Sequence, residues 1–149
     1  MTGPATATTA KPRMLNNTSD SLRVFFALWP EPAVQRKLHA LGKQYQLVCN
    51  GRLMRAETLH ITLQFIGNIK RSQLPILLKA ASKVSVTSAF TLELNQFLFW
   101  QHNHIAYAAL NKKVPMLDAL AAQLRQALKE EGFMPDGDTF VPHVTLLRN

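Results

Sequence analysis

The chain of 149 residues contains little cysteine, few acidic residues and no long apolar stretch. Cys49 is its only cysteine, which excludes an intrachain disulfide and a thiolate metal cluster. Its unbroken apolar runs are far shorter than the ~20 residues with which a helix crosses a bilayer. Residues 1–21 also lack the apolar segment of a secretory signal. These absences predict a soluble, cytoplasmic protein without a membrane segment.

Carboxylates are scarce as well, because 9 Asp and Glu stand against 17 Lys and Arg, for a net charge of +8. A Mg²⁺ or Ca²⁺ site needs several oxygen ligands that converge, so this shortage argues against one. The basic excess favours a polyanionic partner such as RNA. Since the basic residues form no long run, however, the charge alone gives only weak support for RNA.

Apolar periodicity predicts a domain of mixed strands and helices over residues 22–149, preceded by a flexible tail over residues 1–21 that lacks any such periodicity. The pattern predicts strands at 23–29, before Gly67, and at 89–94, 97–101, 104–110 and 139–147. It predicts helices at about 32–46, at about 72–83 and between Pro115 and Gly132. This order is typical of an α+β fold with helices packed against sheet.

Two tetrapeptides repeat the pattern His, β-branched aliphatic, Thr, Leu, at residues 60–63 and 143–146. With 5 His, 11 Thr and 22 Leu in the chain, His-any-Thr-Leu is expected by chance roughly 0.05 times. Side chains alternate between the faces of a strand, so His60 and Thr62 share one face, as do His143 and Thr145. The duplication predicts two related lobes that face each other across a cleft.

Two imidazoles and two hydroxyls suit displacement at phosphorus. The ordinary pKa of histidine, about 6.5, allows one ring to be neutral and accept a proton while the other is protonated and donates one. The hydroxyls of Thr62 and Thr145 can hold the non-bridging oxygens, and the chemistry requires no metal or cofactor. A metal site is the main rival hypothesis, but only Glu57 lies near a motif as a further ligand. These residues do not decide which histidine is the acid.

Three segments make the chain resemble the two-histidine phosphoesterases, and within them the RNA 2′,3′-cyclic phosphodiesterases, formerly called 2′-5′ RNA ligases. The matching segments are Arg23-Val-Phe-Phe-Ala-Leu28, Glu57-Thr-Leu-His-Ile-Thr-Leu-Gln-Phe-Ile-Gly67 and Phe140-Val-Pro-His-Val-Thr-Leu-Leu-Arg148. The resemblance covers about residues 23–149. It implies a bilobal α+β fold, with two antiparallel sheets around a central cleft and helices outside.

The resemblance also implies an activity, the opening of a terminal 2′,3′-cyclic phosphate on RNA to a 2′-phosphomonoester. In the family pattern His60 gives a proton to the leaving 3′ oxygen and His143 activates water. Thr62 and Thr145 bind the phosphate together with Arg148. Spacing alone does not support the last assignment, because Arg148 lies five residues after His143 and would face away from it in a regular strand.

The family normally continues with further strands after the second motif, whereas this sequence stops at Asn149. We therefore expect one lobe to lack its C-terminal strands. Three alternatives stay open at this stage: a 2′-5′ RNA ligase, a phosphodiesterase for small cyclic nucleotides and a non-catalytic RNA-binding protein. The sequence leaves the oligomeric state undetermined.

Overall fold

The computed structural model describes the backbone of residues 2–3, 11–16, 20–137 and 139–149, with side chains from residue 20 onward within these ranges. Two strands, β1 (Thr2–Gly3) and β2 (Lys11–Asn16), lie in the segment for which a tail is predicted. Both pair through the backbone with neighbouring strands, which requires no apolar periodicity. The rest of the predicted tail up to residue 19 lies outside the described residues.

The domain that follows contains six more strands and three α-helices. The strands are β3 (Ser21–Leu28), β4 (Arg52–Leu53), β5 (Ile61–Lys70), β6 (Leu92–Trp100), β7 (Ile105–Leu110) and β8 (His143–Arg148). The helices are α1 (Pro32–Cys49), α2 (Leu74–Ser82) and α3 (Pro115–Glu130). Short 3-10 turns precede β5 and α2. The predicted α+β class is confirmed.

Local sequence explains where the long helices begin and end. Pro32 and Pro115 open α1 and α3, at positions where the missing N–H costs nothing. Asn50 ends α1 in the left-handed conformation, and Gly132 follows α3 with a φ of +87°. The predicted apolar stripe of α3 is buried: Leu117, Leu120, Ala121, Leu124 and Leu128.

All strand pairs are antiparallel, and the strands follow the order β1-β6-β7-β8-β5-β3-β2, with β4 added beside β8. One pair, Ile61 with Val144, joins β5 to β8. The path therefore consists of two antiparallel halves that meet at a single point, rather than two separate sheets. Helix α1 packs near β8 and helix α3 near β5.

Two predicted strand boundaries are wrong. The segments 89–94 and 97–101 form one strand, β6, because Asn95 is accommodated as a bulge between Leu94 and Gln96. Its side-chain oxygen accepts a hydrogen bond from the backbone N–H of Asn111. The last strand begins at His143 instead of 139, directly after Pro142, which has no N–H to give to a ladder.

Candidate active site

The point where the two halves of the sheet meet brings the repeated tetrapeptides together. Since Ile61 lies opposite Val144, the antiparallel register places His60 opposite Thr145 and Thr62 opposite His143. Residues that lie directly opposite share a face, with Cβ atoms about 4.5–5.5 Å apart. The two histidines occupy diagonal positions, for which about 7–8 Å is typical.

Burial shows which face these residues occupy. The alternating residues of both motifs are core residues, each no more than 3% exposed: Ile61, Leu63, Val144 and Leu146. The histidines and threonines are only half-buried. Both imidazoles and both hydroxyls therefore lie on the face of the sheet that points away from this core, as the alternation predicts.

His60 is held by its own loop and by two aromatic rings. Its Nδ1–H donates to the carbonyl oxygen of Thr58 at 2.7 Å, and Nε2 lies 3.1 Å from the hydroxyl of Thr62. The ring of Phe25 stacks on the imidazole at 4.9 Å, and Trp29 lies at the same centroid distance in a tilted orientation. These contacts fix the ring and leave Nε2 as the nitrogen that can exchange a proton.

His143 repeats the first of these features in a different environment. Its Nδ1–H donates to the carbonyl oxygen of Val141 at 2.7 Å, again two residues earlier in the chain. The rings of Trp100 and Tyr107 make T-shaped contacts with the imidazole, with centroid distances of 4.6 and 5.5 Å. Burial lowers the pKa of His143 below its ordinary 6.5; the bond to Val141 opposes this, and the charge of Arg148 adds to it. His143 is therefore biased toward the neutral form.

A bulge in β8 explains the position of Arg148. Thr145 pairs with Tyr107, whereas Leu147 pairs with Ala106, so Leu146 is an extra residue. Leu146 and Leu147 are both 1% exposed, which shows that they point into the core together. Arg148 consequently returns to the face that His143 occupies. The regular alternation assumed for the sequence would have turned it away.

The partners on β7 confirm this orientation. Ala109, Tyr107 and Ile105 lie opposite residues 143, 145 and 148 of β8. The same three form a small apolar cluster, separate from the main core, against which Trp100 packs. All five predicted site residues therefore lie on one face of the molecule.

Two hollows flank these residues. The larger, which we call the cleft, has a volume of about 710 Å³, and Thr62, Tyr107 and His143 contribute to its wall. The smaller, which we call the side hollow, has a volume of about 340 Å³ and is lined in part by Phe25, Arg52 and His60. The hydrogen-bond contact between His60 and Thr62 makes the two hollows neighbours.

Sequence reasoning missed Arg52 and the aromatic residues around the imidazoles. Arg52 belongs to the two-residue strand β4, which is too short to give a periodic signal, and it pairs with Arg148. Trp100 is brought to His143 by pairing between distant strands, which no local pattern reveals.

Arg55 in the side hollow is engaged in an ion pair with Glu57. The pKa of Glu57 is lowered by a backbone hydrogen bond and by Arg55, which keeps it ionised.

The described residues offer neither a cluster of metal ligands nor a membrane-spanning helix. Within residues 20–137 and 139–149, no three side chains of His, Cys, Asp or Glu come together as a possible metal site. No helix among the described residues has the length and apolar character needed to cross a bilayer. The cytoplasmic location stays a prediction.

Comparison with known proteins identifies the same family as the sequence motifs. Residues 28–107, just over half of the chain, match the family model described as LigT like Phosphoesterase. The RNA 2′,3′-cyclic phosphodiesterase of Escherichia coli is 27% identical over 132 residues, which cover 88% of this chain and 74% of that protein. The Aquifex aeolicus protein of the same name is 23% identical over 85% of this chain and 70% of its own length.

Solved structures agree in fold. The crystal structure of Escherichia coli LigT complexed with 3′-AMP superimposes with a TM-score of 0.77 at 25% identity. The match covers 93% of this chain and 74% of that one. These findings confirm the family resemblance and the α+β architecture.

Proposed function

The chain belongs to the LigT-like phosphoesterase family, and we propose that it hydrolyses the 2′,3′-cyclic phosphate at an RNA end to a 2′-phosphomonoester. The observation that supports this most is the register at the junction of the two halves, which sets His60 and His143 diagonally across one antiparallel pair. Two relatives that match this chain over most of their own length are named RNA 2′,3′-cyclic phosphodiesterases. A solved relative binds a nucleotide, 3′-AMP.

His143 acts as the base in this proposal. Its lowered pKa keeps the ring neutral near pH 7, and the bond from Nδ1 to Val141 leaves the lone pair on Nε2. Nε2 takes a proton from the attacking water as the new P–O bond forms. Burial against Trp100 and the nearby charge of Arg148 therefore both favour the form that accepts a proton.

His60 acts as the acid. Its Nδ1–H is anchored on Thr58, so the proton that moves is the one on Nε2. That proton goes to the 3′ oxygen as the P–O3′ bond breaks, and the phosphate stays on the 2′ oxygen. Thr62, Thr145 and Arg148 bind the non-bridging oxygens, on which negative charge accumulates in the transition state. Before substrate binds, the Nε2–H of a protonated His60 can donate to the Thr62 hydroxyl; in the complex it donates to the 3′ oxygen instead, and the Thr62 O–H donates to the phosphate.

The proposal assigns no step to a metal ion or cofactor. Positive charge at the phosphoryl group comes from Arg148 and from a protonated His60. Glu57, the carboxylate nearest the motifs in sequence, is held by Arg55. Activity should therefore be unchanged after treatment with EDTA, and a loss that added divalent ions restore would contradict the proposal.

The direct test uses an oligoribonucleotide that ends in a 2′,3′-cyclic phosphate. The native protein should convert it to the 2′-phosphate, identified by chromatography against 2′- and 3′-phosphate standards. His60→Ala and His143→Ala should each abolish conversion, whereas His39→Ala on α1 should not. Formation of the 3′-phosphate, or salt-sensitive RNA binding without any product, would contradict the proposed reaction; the second result would identify an RNA-binding protein.

A further inference from the structure

Arg52 and Arg148 lie directly opposite each other on β4 and β8. Like charges at opposite positions of neighbouring strands repel each other and destabilise the pairing. Both side chains are exposed, and neither belongs to the three ion pairs of the described side chains. The described residues that line the side hollow include no carboxylate. Two guanidinium groups that no described carboxylate neutralises thus lie side by side on one face of the sheet.

This arginine pair lies on the same face of the sheet as the two histidines and follows the opposed pair Thr145 and His60 along β8. The bulge at Leu146 turns Arg148 to the face of His143, and the charge of Arg148 contributes to the lowered pKa of that histidine. Arg52 lines the side hollow together with His60. An anion bound at Thr145 therefore lies next to the arginine pair on the same face.

We propose that Arg52 acts with Arg148 to bind the phosphoryl group that reacts between the histidines. Guanidinium groups match phosphate oxygens in geometry and form charge-assisted hydrogen bonds with them. A bound phosphoryl group turns the repulsion between the two arginines into attraction toward a common anion. The identification of this anion as the reacting phosphate rests on the proposed function; the arginine pair as an anion site does not.

Thermal unfolding with inorganic phosphate tests the anion site without any need for turnover. Phosphate should raise the Tm of the native protein, because a ligand that binds only the folded state stabilises it. Arg52→Ala should raise the Tm without phosphate, since the repulsion is gone, yet lose most of the phosphate-dependent increase. Arg52→Lys keeps the charge, so it should melt near the native temperature and retain part of the increase. Arg36→Ala on α1, which removes the same charge elsewhere, should respond to phosphate like the native protein.

Kinetics then identify the anion. With adenosine 2′,3′-cyclic phosphate, which has no second phosphate, Arg52→Ala should lower kcat/KM about 100-fold, as loss of one transition-state donor does. Arg36→Ala should stay within about twofold, the change expected of a surface residue that contacts no substrate. A loss that appears only with the 5′-phosphorylated analogue would assign Arg52 to a neighbouring phosphate and overturn the proposal.

Two further results would also overturn it: an unchanged phosphate response in Arg52→Ala, or a lower Tm of that variant without phosphate, which would show a structural role. If the native protein binds phosphate as expected but turns over no cyclic substrate, the proposed function fails while the arginine pair stands as an anion site.

Discussion

The two halves of the sheet contribute the same tetrapeptide in different surroundings. In both, the imidazole Nδ1–H donates to a carbonyl oxygen two residues earlier at 2.7 Å. His60, however, is stacked on Phe25, lies beside a tilted Trp29 and is close to a hydroxyl, whereas His143 makes T-shaped ring contacts and is close to the charge of Arg148. A repeated motif thus places two imidazoles on one face in different surroundings, and burial lowers the pKa of His143.

The largest expected effect comes from removing either imidazole. His60→Ala and His143→Ala should each lower kcat on a cyclic-ended RNA by about 10³- to 10⁴-fold, the upper range for one general acid or base. Both variants should still fold, because neither ring belongs to the main core. The check is the initial rate together with a thermal melt; a folded variant of either kind that keeps a tenth of the activity would contradict the paired roles.

A substrate with a better leaving group should distinguish the acid role of His60 from the base role of His143. A 2′-deoxynucleoside 3′-(4-nitrophenyl phosphate) has no neighbouring hydroxyl, so water must attack it, and it releases a phenolate that needs little protonation; an acid therefore contributes less to its cleavage. The fold reduction in rate caused by His60→Ala should then be about 100 times smaller on the nitrophenyl substrate than on the cyclic phosphate. The fold reduction caused by His143→Ala should be the same on both substrates. Release of nitrophenolate provides the measurement. The opposite order would exchange the acid and base assignments.

Much of this arrangement could be predicted from the sequence, since it depends on period-two alternation. The placement of Ile61 and Val144 in the core and of both histidines on the other face follows from that pattern alone. The orientation of Arg148 does not, because a bulge at Leu146 leaves no periodic signal and shifts every later residue to the other face. Asn95 misled the strand prediction for the same reason.

Contacts between distant segments escaped prediction for a different reason. Trp100 reaches His143 only because β7 lies between β6 and β8, and the sequence does not determine that order. Arg52 faces Arg148 through a strand of two residues. The chemistry could thus be predicted from side chains on single strands, whereas its electrostatic tuning depends on the pairing of strands.

The two threonines should differ by a smaller amount. Thr145→Val removes one proposed hydrogen bond to the phosphate and should lower kcat/KM about tenfold, at the low end for a bond to a charged group. Thr62→Val also removes the hydroxyl next to Nε2 of His60, so its loss should be larger, about 100-fold. Steady-state kinetics on one cyclic substrate compare them. Equal losses would show that the contact between Thr62 and His60 contributes nothing to catalysis.

The smallest effect concerns pH, and it tests whether surroundings set the roles. A base must be neutral to act, so the acidic limb of kcat/KM should follow the pKa of His143 in the free protein and lie below 6.5. Trp100→Leu exposes that ring to water, which weakens the main cause of the lowered pKa and should move the acidic limb to higher pH. Trp29→Leu, beside His60, is the matched control and should leave the limb in place. If the limb moved with Trp29→Leu and not with Trp100→Leu, His60 would be the base and His143 the acid, the reverse of the proposed assignment.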